Sequence, residues 1–231
     1  MAFKSIALAA TTLVLSTGVN AAILSYGGYT HDTTTDIVTG KGLEWLQWDR
    51  TLGHSINSIQ SQLDTLEGGG WSIASNTQMD QLINAFDFGY TFVSTENTNI
   101  QVGTGYSSGD AGNEADELFI TMFGDSYTSV GLLCGSTSDR CTTARALYGS
   151  DDDGDGRYKH ARVIDDYILA NGTEIGGNIQ LSNDAFLATE VLTLSGVALV
   201  RDVSLVPVPA GVWLFGSGLV GLIGVARRKK A

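Results

Sequence analysis

The chain has 231 residues, 43% of them apolar and 9% aromatic, which excludes an intrinsically disordered protein and suffices for one domain with a real core. The formal net charge is −12, and residues 22–205 alone hold all 25 acidic side chains against 8 basic ones, a net charge of −17. So acidic a body excludes binding to nucleic acid or to an anionic membrane through charge. Its natural counterions are metal cations or basic partners, unless the carboxylates serve only solubility.

Residues 1–21 have the order of a secretory signal peptide. Lys4 supplies the positive charge, residues 6–15 form a short apolar run, and Val19 and Ala21 are the small residues of a cleavage site. A stable membrane span needs about 20 apolar residues, so this run is too short for one. The sequence predicts export, with cleavage after Ala21 or alternatively after Ala22.

The body opens with residues that favour extended structure, residues 22–48, with a strand and a turn around Ile37 to Gly42. Ser55 then predicts a capped helix whose apolar residues fall on one face as far as Leu66, followed by three glycines. After a short strand at 71–74, Ser75 and Gln78 form a capping-box pattern that predicts a second helix, to about residue 86.

Residues 94–114 are polar and glycine-rich, which predicts a long loop. A short helix is expected over 114–123, and strands over 144–148, 163–169 and 197–206. The sequence therefore predicts a single α+β domain at 22–205, with antiparallel strands, two short helices and long loops.

The C-terminal 26 residues have three parts. A proline-containing motif is followed by an uncharged apolar stretch at 211–226, which predicts a short transmembrane helix. A basic end at 227–230 then favours the cytoplasmic side of the membrane, which places the body outside. The motif is Val206, Pro207, Val208, Pro209 and Ala210, and the basic residues are Arg227, Arg228, Lys229 and Lys230.

This tail resembles the PEP-CTERM sorting signal of exopolysaccharide-producing Gram-negative bacteria. Valine stands between the two prolines where many members have glutamate, so the motif is similar to the Val-Pro-x-Pro-Ala variants. The resemblance implies cleavage near Pro209 by an exosortase, and only transient residence in the inner membrane. The mature protein would then lie at the cell surface or in the biofilm matrix.

The body resembles, more loosely, bacterial surface domains of unknown function with a C-type-lectin-like fold. The similarity lies in the strand segment 36–48, the Gly70 to Ser75 segment before a helix, and the closing strand 197–201. It implies a mixed sheet with paired first and last strands. Gly-Trp-Ser-Ile stands where such domains carry Gly-Trp-Arg-Leu-Pro, and a Glu-Pro-Asn or Gln-Pro-Asp sugar-binding loop is missing, so calcium-dependent sugar binding is not implied.

An aspartate-rich segment predicts a Ca²⁺ site. Asp151, Asp153 and Asp155 alternate before Gly156, as in the first half of a calcium loop, but Arg162 stands where the loop needs a bidentate glutamate. Asp165 or Asp166 could supply a late carboxylate instead. The alternative is a solvated Asp-Gly turn without metal.

Cys134 and Cys141 are the only cysteines, and export predicts a disulfide between them, with two free thiols as the alternative. The histidines show no metal spacing, and neither a nucleophile elbow nor a phosphate loop is present. Trp45, Trp48 and Trp71 are expected in the core, with stacking on sugar rings as the alternative.

The sequence thus predicts an exported, exosortase-sorted surface or exopolysaccharide-matrix protein without catalytic activity, with Ca²⁺ as its candidate ligand. Two alternatives remain open at this point. A carbohydrate-binding module for exopolysaccharide would need exposed aromatic residues, and a secreted hydrolase would need a cleft with close carboxylates.

Overall fold

The computed structural model of the protein describes residues 22–93, 95, 99–104, 114–127, 129–130, 140–152, 154–165 and 176–203. Within these ranges strands predominate over helices, and the predicted α+β class is confirmed. The strands form two main sheets and one small two-stranded sheet.

The first sheet has six strands in the order β1-β2-β3-β4-β13-β5. Two-residue loops, Gly27-Gly28 and Lys41-Gly42, join β1 to β2 and β3 to β4, and all four residues have positive φ as tight hairpins require. The strands are β1 (Ile23–Tyr26), β2 (Tyr29–Asp32), β3 (Ile37–Gly40), β4 (Leu43–Leu46), β5 (Ser72–Ile73) and β13 (Leu199–Asp202).

The last described strand, β13, lies between β4 and β5. Val200 is paired with Trp45 on one side and with Ser72 on the other, both antiparallel. The expected pairing of the first and last strands is wrong for β1; the last described strand pairs with β4, within the segment 36–48. The first strand in the chain, β1, pairs with β2 instead.

The second sheet has the order β12-β9-β10-β11-β6, with β12 parallel to β9 and the other pairs antiparallel. The small third sheet pairs β7 with β8. These strands are β6 (Ile100–Gly103), β7 (Ser129–Val130), β8 (Arg140–Cys141), β9 (Thr143–Tyr148), β10 (Arg157–Ile164), β11 (Asn178–Leu187) and β12 (Gly196–Val197).

Three α-helices lie in the described ranges: the two that follow Ser55 and Ser75, and the short helix expected over 114–123. They are α1 (Ile56–Gln60), α2 (Asn76–Ala85) and α3 (Ala115–Phe123). The capping box at Ser75 and Gln78 is confirmed, since each donates a bond to the other's side chain through its backbone N–H. The first helix is shorter than predicted: it ends at Gln60, and turns with a 3-10 helix (Leu66–Gly68) complete the segment.

The core joins the first sheet, α2, α3 and one face of the second sheet. Trp48, in a 3-10 helix (Trp48–Thr51), packs its ring 5.2 Å from Phe119 and 5.9 Å from Phe123. Trp45 and Trp48 are fully buried and Trp71 is 4% exposed. The prediction that these tryptophans are core residues is confirmed, and the alternative of sugar stacking is wrong for all three.

Some sequence expectations differ from the structure in the second sheet. The predicted loop 94–114 contains β6, and the long strand β11 was not expected. The strand expected at 163–169 instead begins at Arg157 and ends at Ile164, and residues 166–169 lie outside the described ranges. β6 and β11 pair with each other, so their polar residues gain strand structure from tertiary context.

The two predicted targeting segments, 1–21 and 206–231, also lie outside the described residues. Among the helices within those residues, none has the length and apolar character needed to cross a membrane.

Candidate functional site: an acidic cleft beside α3

A cleft of about 500 Å³ lies where α3, the 3-10 helix at Trp48–Thr51 and the end of β10 meet. Acidic side chains from four separate parts of the chain line it. The lining residues are Gln47, Asp49, Glu117, Ile120, Thr121, Gly124, Asp125, Thr142 and Asp165. We call this the acidic cleft.

Gln47 and Gly124 hold Asp49 at one wall. The Gln47 side-chain amide donates a 2.9 Å hydrogen bond to the carbonyl of Met122, which ties the segment before the 3-10 helix to the last turn of α3. Gly124 ends α3 with φ 96°, and a Cβ there would overlap Oδ1 of Asp49. Position 124 therefore needs glycine for its backbone conformation and for the close approach of the carboxylate.

The Asp49 carboxylate is poorly compensated. Its Oδ1 is buried and has no hydrogen-bond partner among the described residues. Burial raises the pKa of Asp49. The charge of Arg50 and hydrogen bonds from the backbone N–H groups of Asp49 and Arg50 oppose this rise, while the negative charge of Asp36 adds to it. A partly buried carboxyl with a raised pKa has two possible chemical uses: binding a cation, or holding a proton for acid catalysis.

Three further carboxyl groups gather at the first turn of α3. Oxygen atoms of Glu114, Asp116 and Asp165 all lie within 4.8 Å of one another. Asp165 follows β10, on the face that Ala161 and Val163 turn toward the core beside α3. Glu114 and Asp116 begin α3, where the helix dipole favours negative charge. The cluster shares Asp165 with the acidic cleft.

Asp116 is the buried member of this cluster, with no exposed surface. The Thr104 hydroxyl donates a 2.8 Å hydrogen bond to its Oδ2, and the backbone N–H of Glu117 donates one of 3.1 Å to its Oδ1. Burial nevertheless raises the pKa of Asp116, because the two hydrogen bonds only partly oppose the loss of hydration. Gly177 leaves room for this carboxylate, since a Cβ there would overlap it.

Asp125 closes the cleft on the side of the second sheet. Its Oδ1 accepts hydrogen bonds from the backbone N–H groups of Tyr127, at 3.0 Å, and Thr143, at 3.2 Å. These bonds fix the chain after α3 to the start of β9. The carboxylate is thereby a structural part of the wall, as well as a source of negative charge.

Close carboxylate oxygens suit a hard divalent cation such as Ca²⁺, which takes six to eight oxygen ligands at about 2.3–2.6 Å. Glu114, Asp116 and Asp165 could supply part of such a set. The same cleft brings the partly buried carboxyl group of Asp49 together with further carboxyl groups, and glycoside hydrolysis requires such a pair of carboxyl groups.

The predicted calcium loop forms the turn between β9 and β10. Asp151 Oδ2 accepts from the N–H of Gly156 at 3.0 Å, and Asp155 Oδ1 accepts from the N–H of Arg157 at 2.9 Å. These are contacts typical of an Asp-Gly turn. Asp153 lies outside the described residues, so a metal site at Asp151, Asp153 and Asp155 stays a prediction.

One part of that prediction is wrong. Asp165 does not supply the late carboxylate of the loop, because the whole of β10 separates it from Asp155. Eight strand residues span about 26 Å, far beyond the reach of one ion. Asp165 lies instead with Glu114 and Asp116.

The remaining predicted sites fall on residues that the structure does not describe. Cys134, the sorting motif 206–210 and the basic residues 227–230 are among them, while Cys141 is described only as part of β8. The Cys134–Cys141 disulfide therefore stays a prediction.

No family model matches the chain, and neither a curated protein nor a solved structure matches it.

Proposed function

We propose that the chain is an exported, exosortase-sorted protein of the cell surface or exopolysaccharide matrix, without catalytic activity. The observation that carries this proposal is the order of the C-terminal signals: the motif at 206–210, the apolar segment 211–226 and the basic end 227–230. The N-terminal segment 1–21 complements it, because it supplies the route out of the cytoplasm.

The fold is compatible with this order. The N–H of Val203, the last described residue, donates to the carbonyl of Gly42 at 3.1 Å, so the domain holds the chain up to that point. Two residues then separate it from Val206, where the sorting motif begins. A folded body that ends directly before the motif would leave the motif accessible to a membrane protease.

Sorting is tested by replacing Arg227, Arg228, Lys229 and Lys230 with glutamine in a host that has an exosortase. We expect the unaltered protein to lose its tail near Pro209, and the variant to keep it and stay in the membrane fraction. Intact mass of the mature protein and cell fractionation measure this. Identical mature mass and location in both proteins would contradict the proposal.

The matched control changes exposed basic residues of the body instead. Lys41→Gln with Arg157→Gln alters the charge of the exported part and leaves the tail intact. This control should be processed like the unaltered protein. A processing defect in the control would mean that body charge, and not the basic end, governs sorting.

Ca²⁺ is the ligand proposed for the body. The support for it is the approach of three carboxyl groups to within 4.8 Å at the start of α3, in a domain with net charge −17. Extracellular calcium modules bind with dissociation constants of about 0.1 to 1 mM, so an incomplete ligand set is sufficient outside the cell.

A secreted hydrolase is the second candidate, and the acidic cleft is the observation that favours it. Asp49, with its raised pKa, would be the proton donor, and Asp165 the second carboxylate. Release of reducing ends from the host's exopolysaccharide, lost in Asp49→Asn and in Asp165→Asn, would establish this activity. No release by the unaltered protein would remove it.

A further inference from the structure

A row of polar side chains crosses the second sheet on the face turned away from α3. Arg145 on β9 is paired with Arg162 on β10, which is paired in turn with Gln180 on β11. Gln101 on β6 continues the row beside Gln180. Like charges directly opposite each other on a sheet are destabilising, so Arg145 beside Arg162 calls for a compensating negative group.

Arg145 finds no such group in the part of the chain that the structure describes. It forms none of the ion pairs there, and its Nε is buried without a hydrogen-bond partner. The guanidinium lies over the ring of Tyr127, 5.4 Å from the centroid. Burial, and secondly the charge of Arg162, lowers the pKa of Arg145. A buried charged donor without an acceptor is unfavourable unless a ligand supplies one.

His160 lies beside the two arginines and is affected by their positive charge. It lies two residues from Arg162 on the same face of β10, and its Nε2 is 3.1 Å from the hydroxyl of Ser195. Burial lowers the pKa of His160 to about 3, and the charges of Arg145 and Arg162 contribute. The ring is therefore neutral, and can exchange hydrogen bonds without adding to the charge repulsion.

A pocket of about 270 Å³ opens at these residues. Arg145 and His160 form its polar part, Phe186 its aromatic part, and the segment 191–195 its rim. The Phe186 ring packs edge-on to His160 at 5.5 Å, while Val191 and Leu194 are exposed at the rim. The volume is slightly below the usual range for small-molecule sites, which suits one sugar-sized unit.

We propose that this pocket binds the carboxylate of an acidic sugar unit, with Arg145 as the principal contact and Arg162 as the supporting charge. A guanidinium presents paired N–H donors that match the two oxygens of a carboxylate. His160 and Ser195 are placed to contact hydroxyl groups, and the apolar rim to contact the ring. That the sugar belongs to exopolysaccharide rests on the proposed function; the anion site itself rests on the pocket.

The experiment is calorimetric titration of the full chain, held in a neutral detergent, with D-glucuronate, and with D-glucose as the uncharged control. We expect glucuronate to bind and glucose not to bind. Arg145→Gln should weaken glucuronate binding at least about tenfold, because it removes charge-assisted hydrogen bonds. Arg157→Gln, on the neighbouring strand β10 and paired with Asp155, is the matched control and should bind like the unaltered protein.

Loss of fold must be separated from loss of the contact. Without ligand, Arg145→Gln should unfold at a temperature no lower than the unaltered protein, because it relieves the repulsion from Arg162. If it unfolds earlier, Arg162→Gln takes its place in the titration. Arg162 is not among the lining residues and contributes charge only, so glucuronate binding should weaken, but by less than about tenfold. Equal binding by both variants and the unaltered protein would overturn the proposal, as would absence of glucuronate binding.

Two further titrations identify the source of the anion. If polygalacturonate binds more tightly than glucuronate, the site is assigned to a polymer. If the two affinities are equal per sugar unit, the site is assigned to the single sugar. Inorganic phosphate that binds as tightly as glucuronate would overturn the acidic-sugar assignment. Because these titrations do not depend on processing of the tail, failed sorting and failed anion binding are distinguishable.

Discussion

Calcium should raise the thermal stability of the protein through the carboxyl cluster at α3, and Asp165→Asn should remove most of this effect. Asp165 is the member that lies in both the cluster and the acidic cleft. Asparagine keeps the shape of the side chain but removes its charge. The variant therefore tests the cation and not the packing.

The magnitude follows from binding linkage. With a dissociation constant of about 1 mM, about 10 mM Ca²⁺ stabilises the folded state by about 1.4 kcal/mol. For a domain of this size, each kcal/mol shifts the unfolding temperature by about 2–4 °C, so the expected rise is about 3–6 °C. A tenfold weaker site in Asp165→Asn would leave about 0.4 kcal/mol, or about 1 °C.

The assay is differential scanning calorimetry of the full chain with CaCl2, and with NaCl at matched ionic strength. The salt control removes general screening of the acidic body. Asp155→Asn, in the turn between β9 and β10, is the comparison variant, because its carboxylate already accepts the N–H of Arg157. It should keep the full calcium shift.

Two results would refute this reasoning. If CaCl2 changes the unfolding temperature of the unaltered protein no more than NaCl at matched ionic strength does, the cluster is not a cation site. Alternatively, Asp155→Asn could lose the shift while Asp165→Asn keeps it, which would place the ion in the aspartate-rich turn.

Three further predictions concern the fold. Trp48→Ala should lower the free energy of unfolding by about 3–5 kcal/mol in urea titrations, because it removes a fully buried ring between the first sheet and α3. Ser75→Ala should lower it by about 1 kcal/mol, since it removes the capping bond of α2; Thr77→Ala, at an exposed position of the same helix, should change it little. Because burial raises the folded-state pKa of Asp49 above its ordinary 3.8, folding should gain stability as the pH falls through that raised value, and Asp49→Asn should reduce this gain in urea midpoints measured against pH.

The sequence was most informative where a local rule decides the structure. Ser75 and Gln78 located the start of α2 because a capping box is complete within four residues. The helix after Ser55 began where predicted but ended early at Gln60. Leu63 and Leu66, in the turns that follow, pack against a buried cluster that includes Ile56 and Ile59. Apolar spacing thus predicted burial correctly, but not the backbone that achieves it.

The acidic cleft could not be predicted in this way. Asp49, Glu117, Asp125 and Asp165 come from different parts of the chain, and no spacing in the sequence relates them. The sequence instead drew attention to Asp151 and Asp155, whose alternation is a local pattern. Likewise, Arg145 and Arg162 become neighbours only through the register of β9 and β10.

The central place of β13 bears on how the chain folds as it is made. Synthesis delivers residues 199–202 after every other described strand, yet β5 and one edge of β4 depend on them for strand pairing. Until β13 arrives, both strands present open edges that can pair with other chains. A chain cut before Leu199 would keep those edges exposed permanently, so only the completed polypeptide is protected against edge-to-edge aggregation.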